Sequence, residues 1–395
     1  MTSKQDNESL TRIGPGTPGG DMLRRYWWPV GIAKDLKNRP TLIKILGEEL
    51  ALFRDSNGRV GLLAAQCSHR RANLCLGDVE GDGLRCRYHG WKYSVDGTVL
   101  DIPGEPHQEQ LTARIHHRSY PASEQAGLIF AYLGPDPAPL LPQFHFLIEE
   151  GTHYSWIGGF SDSNWLQCVE NGLDPTHVSF AHRGTIENIG PIPERIDIER
   201  TAHGMLHKTY RPGSKPGSQF YREHHLLMPG ISVGGGGQRR FEGAHNNAPA
   251  VSARWTVPID DHESMMVNLV FKPAANSGKL VSTDGDRPLF GRWQAVKVKP
   301  YREYRGMSTE PLGYDIPASV PAQDSTLLDS MGPIVDRENE FLVPGDSGIE
   351  VLRKIYLQAI ETVQAGGDPP GVFRVPTVVT ITSRERWVPI ESQPA

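Results

Sequence analysis

The feature that most limits what this chain can be is a pair of short segments that each hold one cysteine and one histidine. Cys67-Ser-His69 is followed, sixteen residues later, by Cys86-Arg-Tyr-His89. A Cys2His2 zinc site groups its ligands differently, as a pair of cysteines and a pair of histidines. Here the two residue types alternate within both pairs. Two loops that each offer one thiolate and one imidazole match the set in which two Cys hold one iron of a [2Fe–2S] cluster and two His hold the other. The chain has only two further cysteines, Cys75 and Cys168. That excludes a disulfide scaffold, and equally a plant-type ferredoxin domain, which needs four more thiolates. Cys75 reads as a packed thiol, and Trp91 as a side chain packing over the cluster loops.

At 395 residues the chain suits two domains, each with its own core. Hydrophobic residues at 38% and charged residues at 22% are those of a globular protein, and a net charge of -5 argues against a nucleic-acid binder. No apolar run approaches the length of a membrane span, and MTSKQDNESLTRIGPG lacks the pattern of a secretory signal. A cytoplasmic protein without membrane or nucleic-acid partners is expected.

Gly19–Tyr26 reads as a short amphipathic helix. From Leu42 onward, LIKIL, ELALFRD and VGLLAA are short β-rich runs separated by turn signals, and YSVDGTVL is a hairpin turning at Asp96-Gly97. GLIFAYLG reads as a closing strand, after which PDPAPLLPQ packs four prolines into nine residues as a boundary. The expected organisation is an N-terminal segment (1–40) on the catalytic domain, a small all-β domain (41–140), and a larger domain (141–395). The larger domain should be α+β, an antiparallel sheet flanked by helices. In it, Ser161–Gly172 reads as helical and Asp174-Pro175 as the start of a second short helix. VSARWTVPIDDHESMMVNLVF reads as two strands around a turn, and Ser347–Ala365 as a helix ended by Gly366-Gly367. The GGGG at 234–237 reads as a loop.

Asn171-x2-Asp174-x2-His177-x4-His182 is a second candidate metal motif. On a straight helix two His five apart diverge by about 140°. Spacing alone therefore leaves their convergence open, with Pro175 as a source of irregularity. Both motifs, in this order, resemble those of Rieske non-haem iron oxygenase α subunits. CSHRRANLCLG and RCRYHGWKYSVDG are similar to the two cluster-binding loops, and the likeness runs from PGTPGGDMLRRYW to the C-terminal helix. The closest type is that of phthalate dioxygenase, built from α subunits alone.

The resemblance implies a Rieske [2Fe–2S] cluster on Cys67, His69, Cys86 and His89, and a mononuclear Fe(II) on His177, His182 and one downstream aspartate. Asp315, Asp324, Asp329 and Asp336 lie in the right stretch. Gln323-Asp324 fits the family pattern best, with Asp329 next. Asp174 has two readings. One is a helix cap, worth about 1 kcal/mol over Ala. The other, implied by the resemblance, is a bridge between a cluster His (His69 or His89) of one subunit and His177 of its neighbour in a homotrimer.

Also implied is a separate NAD(P)H-dependent reductase, with or without a ferredoxin, since the chain shows no nucleotide-binding fingerprint. An aromatic substrate would be hydroxylated, dihydroxylated or O-demethylated with O2. Arg222, His224, His225, Arg239 and Arg240 are candidates for gripping a carboxylate. The rival readings are a Rieske electron-transfer protein, which needs only about 100 residues, and a scaffold subunit without mononuclear iron.

Overall fold

The computed structural model describes residues 2–183, 192–213, 217–234, 251–274 and 320–389. Arg239, Arg240, Asp315 and most of the GGGG run lie outside them. The chain opens with α1 (Lys4–Thr11) and α2 (Pro18–Leu23). Ser3 and Thr17 cap these helices by accepting from Asp6 N and Gly20 N, and Pro18 sits in the first turn of α2, where its missing N–H costs nothing.

The strands that follow are β1 (Trp27–Ile32), β2 (Thr41–Ile45), β3 (Glu48–Arg54), β4 (Val60–Ala64), β5 (Asp78–Glu80), β6 (Gly83–Arg85), β7 (Lys92–Ser94), β8 (Val99–Asp101), β9 (Ala122–Gln125) and β10 (Leu128–Tyr132). They form the antiparallel sheets β2-β3-β4, β5-β6-β7-β8 and β1-β10-β9. The expected hairpin is β7–β8, with Gly97 at φ 88 in its turn. Residues 27–32, which the sequence placed in an N-terminal segment, pair with β10, because WWPVGI is almost wholly buried and needs sheet on its edge. Phe53, Leu63, Leu74, Leu84, Tyr93 and Val99 make a small core of their own around the buried Cys67 and Cys86.

The short helices α3 (Gln108–Thr112) and α4 (His145–Ile148) precede β11 (Gly151–Ser161), α5 (Trp165–Asn171), α6 (His177–Ala181), β12 (Arg195–Thr201), β13 (Gly204–Pro212), β14 (Ser218–Leu227), β15 (Ile231–Gly234), β16 (Val251–Pro258), β17 (Ser264–Pro273), α7 (Val320–Ser330), α8 (Ser347–Gln364) and β18 (Glu385–Pro389). The large sheet runs β11-β17-β16-β15-β14-β13-β12, with β18 paired to β14. Alternation gives it two unlike faces. Ile231, Val233, Ala253, Trp255, Val257, Val267 and Leu269 are buried in the main core, with Trp255 edge-on to Phe130 of β10. The opposite face receives the helices: Ser264 Oγ donates to Ser163 O beside α5, and Ser161 Oγ donates to Asp329 Oδ1 of α7.

The helix expected from Ser161 starts four residues later. β11 continues through Ser161, and Asn164 Oδ1 accepts from Leu166 N to cap α5. α8 follows its expected stripe, burying Leu352, Ile355, Ala359 and Val363, and the chain turns out at Gly366 with φ 83. Among the described residues no helix is long and apolar enough to cross a membrane.

Candidate metal centres

The two Cys/His loops are built alike. Cys67 N donates to Ala72 O and Arg71 N to Cys67 O; Cys86 N donates to Trp91 O and Gly90 N to Cys86 O. Both loops therefore need a left-handed residue four places after the cysteine. Gly90 adopts it freely at φ 74, whereas Arg71 holds φ 65 at a cost on the order of 1 kcal/mol. Cys67 and Cys86 are buried, His69 is exposed and His89 half-buried. The imidazole centroids are 4.6 Å apart. Thiols facing inward and imidazoles at the tips suit a cluster whose histidine-held iron faces outward.

Trp91 stacks on His69 at 4.9 Å with ring planes 2° apart. Burial pushes the Cys75 thiol up to about 11, which makes it a poor thiolate donor. Sequence reasoning missed the support behind Cys67. Tyr93 Oη lies 3.0 Å from its sulfur, and the buried His117 donates from Nε2 to Ala64 O, leaving Nδ1 to accept from Ser68 Oγ at 2.6 Å. No spacing pointed to His117, which lies well past the second cluster loop and belongs to neither motif.

The second motif is positioned from α5. Asp174 Oδ1 accepts from Thr176 N at 2.8 Å and His177 N at 3.2 Å, so it caps a helix that begins at His177 rather than at Pro175. α6 lasts five residues, and His182 leaves the helical path at φ -104, ψ 17. The two imidazoles, which a straight helix would splay, therefore lie 5.3 Å apart between centroids. Arg211 of β13 holds the segment from below, donating to Ser179 Oγ at 3.0 Å and to Pro175 O at 2.5 Å.

α7 brings Asp324 to the same point. Its Oδ1 lies 3.2 Å from His182 Nε2 and 3.6 Å from His177 Nε2. His177 Nδ1 donates to Asp174 O at 2.5 Å, and His182 Nδ1 donates to Gln323 Oε1 at 2.8 Å. Those bonds put each ring proton on Nδ1 and leave both Nε2 lone pairs aimed at the carboxylate. Burial pushes His177 down, against the pull of Asp324 and Asp174, which favours the neutral ring. Asp324 Oδ1 is itself buried without a hydrogen-bond partner. Three converging lone-pair donors are costly unless a cation sits among them. His177, His182 and Asp324 thus fit a divalent iron site with one carboxylate and two imidazoles.

The other aspartates do other work. Asp329 Oδ1 accepts from Ser161 Oγ, and burial pushes the carboxyl up to about 6. Asp336 is exposed and accepts from Asn339 Nδ2 and Glu338 N. Of the basic candidates, Arg222 and His224 stand on the helix-bearing face of the sheet. His225 points the other way, donating from Nε2 to Thr382 O.

Comparison with known proteins agrees with this geometry. Residues 26–121 match the model of the Rieske [2Fe–2S] domain. The chain is 34% identical to the phenoxybenzoate dioxygenase α subunit of Ectopseudomonas oleovorans, over 92% of this chain and 87% of that one. It is 30% identical to the 5,5'-dehydrodivanillate O-demethylase oxygenase subunit of Sphingobium sp. (strain NBRC 103272 / SYK-6), over 96% and 85%. In fold it is similar to NdmA of Pseudomonas putida CBB5, solved as a QL mutant with caffeine, with a TM-score of 0.63 at 18% identity over 96% of this chain and 100% of that one. The chain belongs to the Rieske non-haem iron aromatic-ring-hydroxylating oxygenases. It is an oxygenase with a Rieske [2Fe–2S] cluster and a mononuclear iron.

Proposed function

We propose that this chain is the terminal oxygenase of a multicomponent system that hydroxylates, dihydroxylates or O-demethylates an aromatic carboxylate or aryl ether. The observation that carries the reading is the convergence of His177 Nε2, His182 Nε2 and the buried, unpartnered Asp324 Oδ1 atom. Phenoxybenzoate and dehydrodivanillate, named for the relatives, supply the substrate class. Cys67, His69, Cys86 and His89 would hold the cluster, and His177, His182 and Asp324 the mononuclear iron. When bound, the cluster supplies single electrons and the Fe(II) a place where O2 is activated. The rest falls to the protein. Gln323 fixes the His182 ring, and the Asp174 carbonyl fixes that of His177. Residues 41–140 would form the cluster domain and 141–395 the catalytic domain.

The electrons would come from a separate NAD(P)H-dependent reductase, with or without a ferredoxin, and the site of action would be the cytoplasm. Loaded protein should contain about three iron atoms per chain and take up O2 only when an aromatic acid or aryl ether and a compatible reductase are present. A count of about two, without substrate-dependent uptake, would favour an electron-transfer protein or an iron-free scaffold.

We also infer a homotrimer in which Asp174 links His177 to His69 or His89 of the neighbouring subunit. Asp174 Oδ2 lies 3.8 Å from His177 Nδ1 while Oδ1 is occupied by the cap. Asn retains the capping oxygen but carries no charge to stabilise a protonated imidazole. Asp174→Asn should therefore keep its fold, cluster and most of its iron, while reoxidation of the cluster in a single turnover with substrate and O2 slows by about 10- to 100-fold. A wild-type rate would reduce Asp174 to a cap.

A further inference from the structure

A sheet face covered by helices is normally apolar, yet the helix-bearing face here carries a polar stretch beside the buried Leu226 and Met205. Backbone pairing puts Trp156, Asn268, Arg254 and Ser232 in one row across β11, β17, β16 and β15. Their sequence neighbours Ala253, Trp255, Val267 and Leu269 are buried in the core, so alternation turns Arg254 and Asn268 to the opposite face. That is the face on which Ser264 and Ser161 meet α5 and α7. At its other side, His224 lies below the iron-motif segment, its ring 3.9 Å from where a Cβ would stand on Gly172. His224 Nε2 lies 2.6 Å from Ser232 Oγ, which ties it to the row. The row is thus flanked by both elements that bring in the iron donors. Of the described guanidiniums on this face, Arg211 holds the iron-motif segment and Arg222 lies with its Nε 2.9 Å from Glu385, and Arg254 is the one that stands in line with Asn268.

We propose that Arg254, with Asn268, binds the carboxylate of an aromatic acid whose ring lies toward Trp156, so that this chain selects aromatic carboxylates over uncharged aryl ethers. The assignment rests on the reading of the chain as an aromatic oxygenase and narrows its substrate class. A guanidinium offers paired donors in the plane of a carboxylate, and the Asn268 amide adds a neutral donor beside it. The row lies on the same sheet face as the contacts to the iron-motif segment and α7. The Asn268 amide also depends on a bare glycine across the strand pair: a Cβ on Gly158 would come within 2.1 Å of its Nδ2.

The test uses the cluster- and iron-loaded enzyme with benzoate, 3-methoxybenzoate and 3-phenoxybenzoate, each beside its primary amide. Anaerobic calorimetry measures binding, and O2 uptake with a reductase measures turnover. Wild type should bind at least one acid over its amide by about 10- to 100-fold, the worth of one hydrogen bond to a charged group. In Arg254→Gln that preference should collapse toward one, and Arg254→Lys should recover part of it. The cluster spectrum should not move, since Arg254 belongs to neither cluster loop. An unchanged acid-to-amide ratio in Arg254→Gln, or a wild type that binds no acid in preference, overturns the assignment. Acid binding that depends on Arg254 without any O2 uptake would instead overturn the oxygenase reading of the substrate and leave the anion site standing.

Discussion

Asp324→Ala should leave the red-brown cluster spectrum unchanged, strip most of the mononuclear iron and lower substrate-dependent O2 uptake by more than about 100-fold. Losing a partner one shell removed from a metal costs about 10- to 100-fold, and loss of a ligand costs more. The reason lies in the donor set. Without Asp324, His177 and His182 offer two neutral nitrogens and no charge to offset that of Fe(II). Asp329→Ala is the control. Asp329 is five residues along α7, is engaged by Ser161, and takes no part in the converging group. Metal analysis beside O2 uptake decides between them. An active Asp324→Ala enzyme next to an iron-free Asp329→Ala enzyme would show that the wrong carboxylate has been assigned.

How far this could be read from the sequence depended on how local the signal was. The two Cys/His loops stood out because their cysteines, histidines and turns all lie within Cys67–Gly90, and the paired loop closures are local hydrogen bonds. That Asp324 would lie with the two histidines could be expected only by family likeness, because α7 meets His182 across more than 140 residues of chain and no spacing encodes that approach. The start of α5 was placed too early because β11 runs on through Ser161, and only then does Asn164 cap the helix; Asp174 caps the next segment, as its place before Pro175 suggested. The convergence of His177 and His182, left open by periodicity, follows from α6 being too short to impose its period. Arg254 could not be singled out from the sequence because register alone puts it in line with Asn268 and Trp156.

Glu170→Ala should destabilise the protein by about 3–5 kcal/mol, the usual cost of breaking a buried ion pair from one side. Glu170 is in the last turn of α5, directly before the iron-motif segment, and is 7% exposed. Its Oε2 accepts from Arg337 at 2.9 Å and its Oε1 from Arg353 of α8 at 2.7 Å. Arg353 is also paired with Glu340, and Arg337 donates to Asn7 Oδ1 of α1. Two carboxylates and two guanidiniums balance, and between them they tie α1, α5, α8 and the segment after α7. Removing Glu170 leaves Arg353 with Glu340 but strands Arg337, which is 0% exposed, with an uncharged partner. Burial pushes the Glu170 carboxyl up, but the two guanidiniums outweigh it and the net shift is downward. A depressed carboxylate contributes stability above its unfolded pKa of about 4.3. The contribution disappears as pH falls through the lower folded value. Wild type should accordingly lose part of its margin over Glu170→Ala only in acid, below about pH 4. Glu170→Ala/Arg337→Met removes both charges and should recover at least about half of the loss. Denaturant unfolding of the three proteins at neutral pH is the measurement, with iron content alongside. A single variant within about 1 kcal/mol of wild type, or a double variant no better than the single, would show that the buried charges do not hold α5 in place.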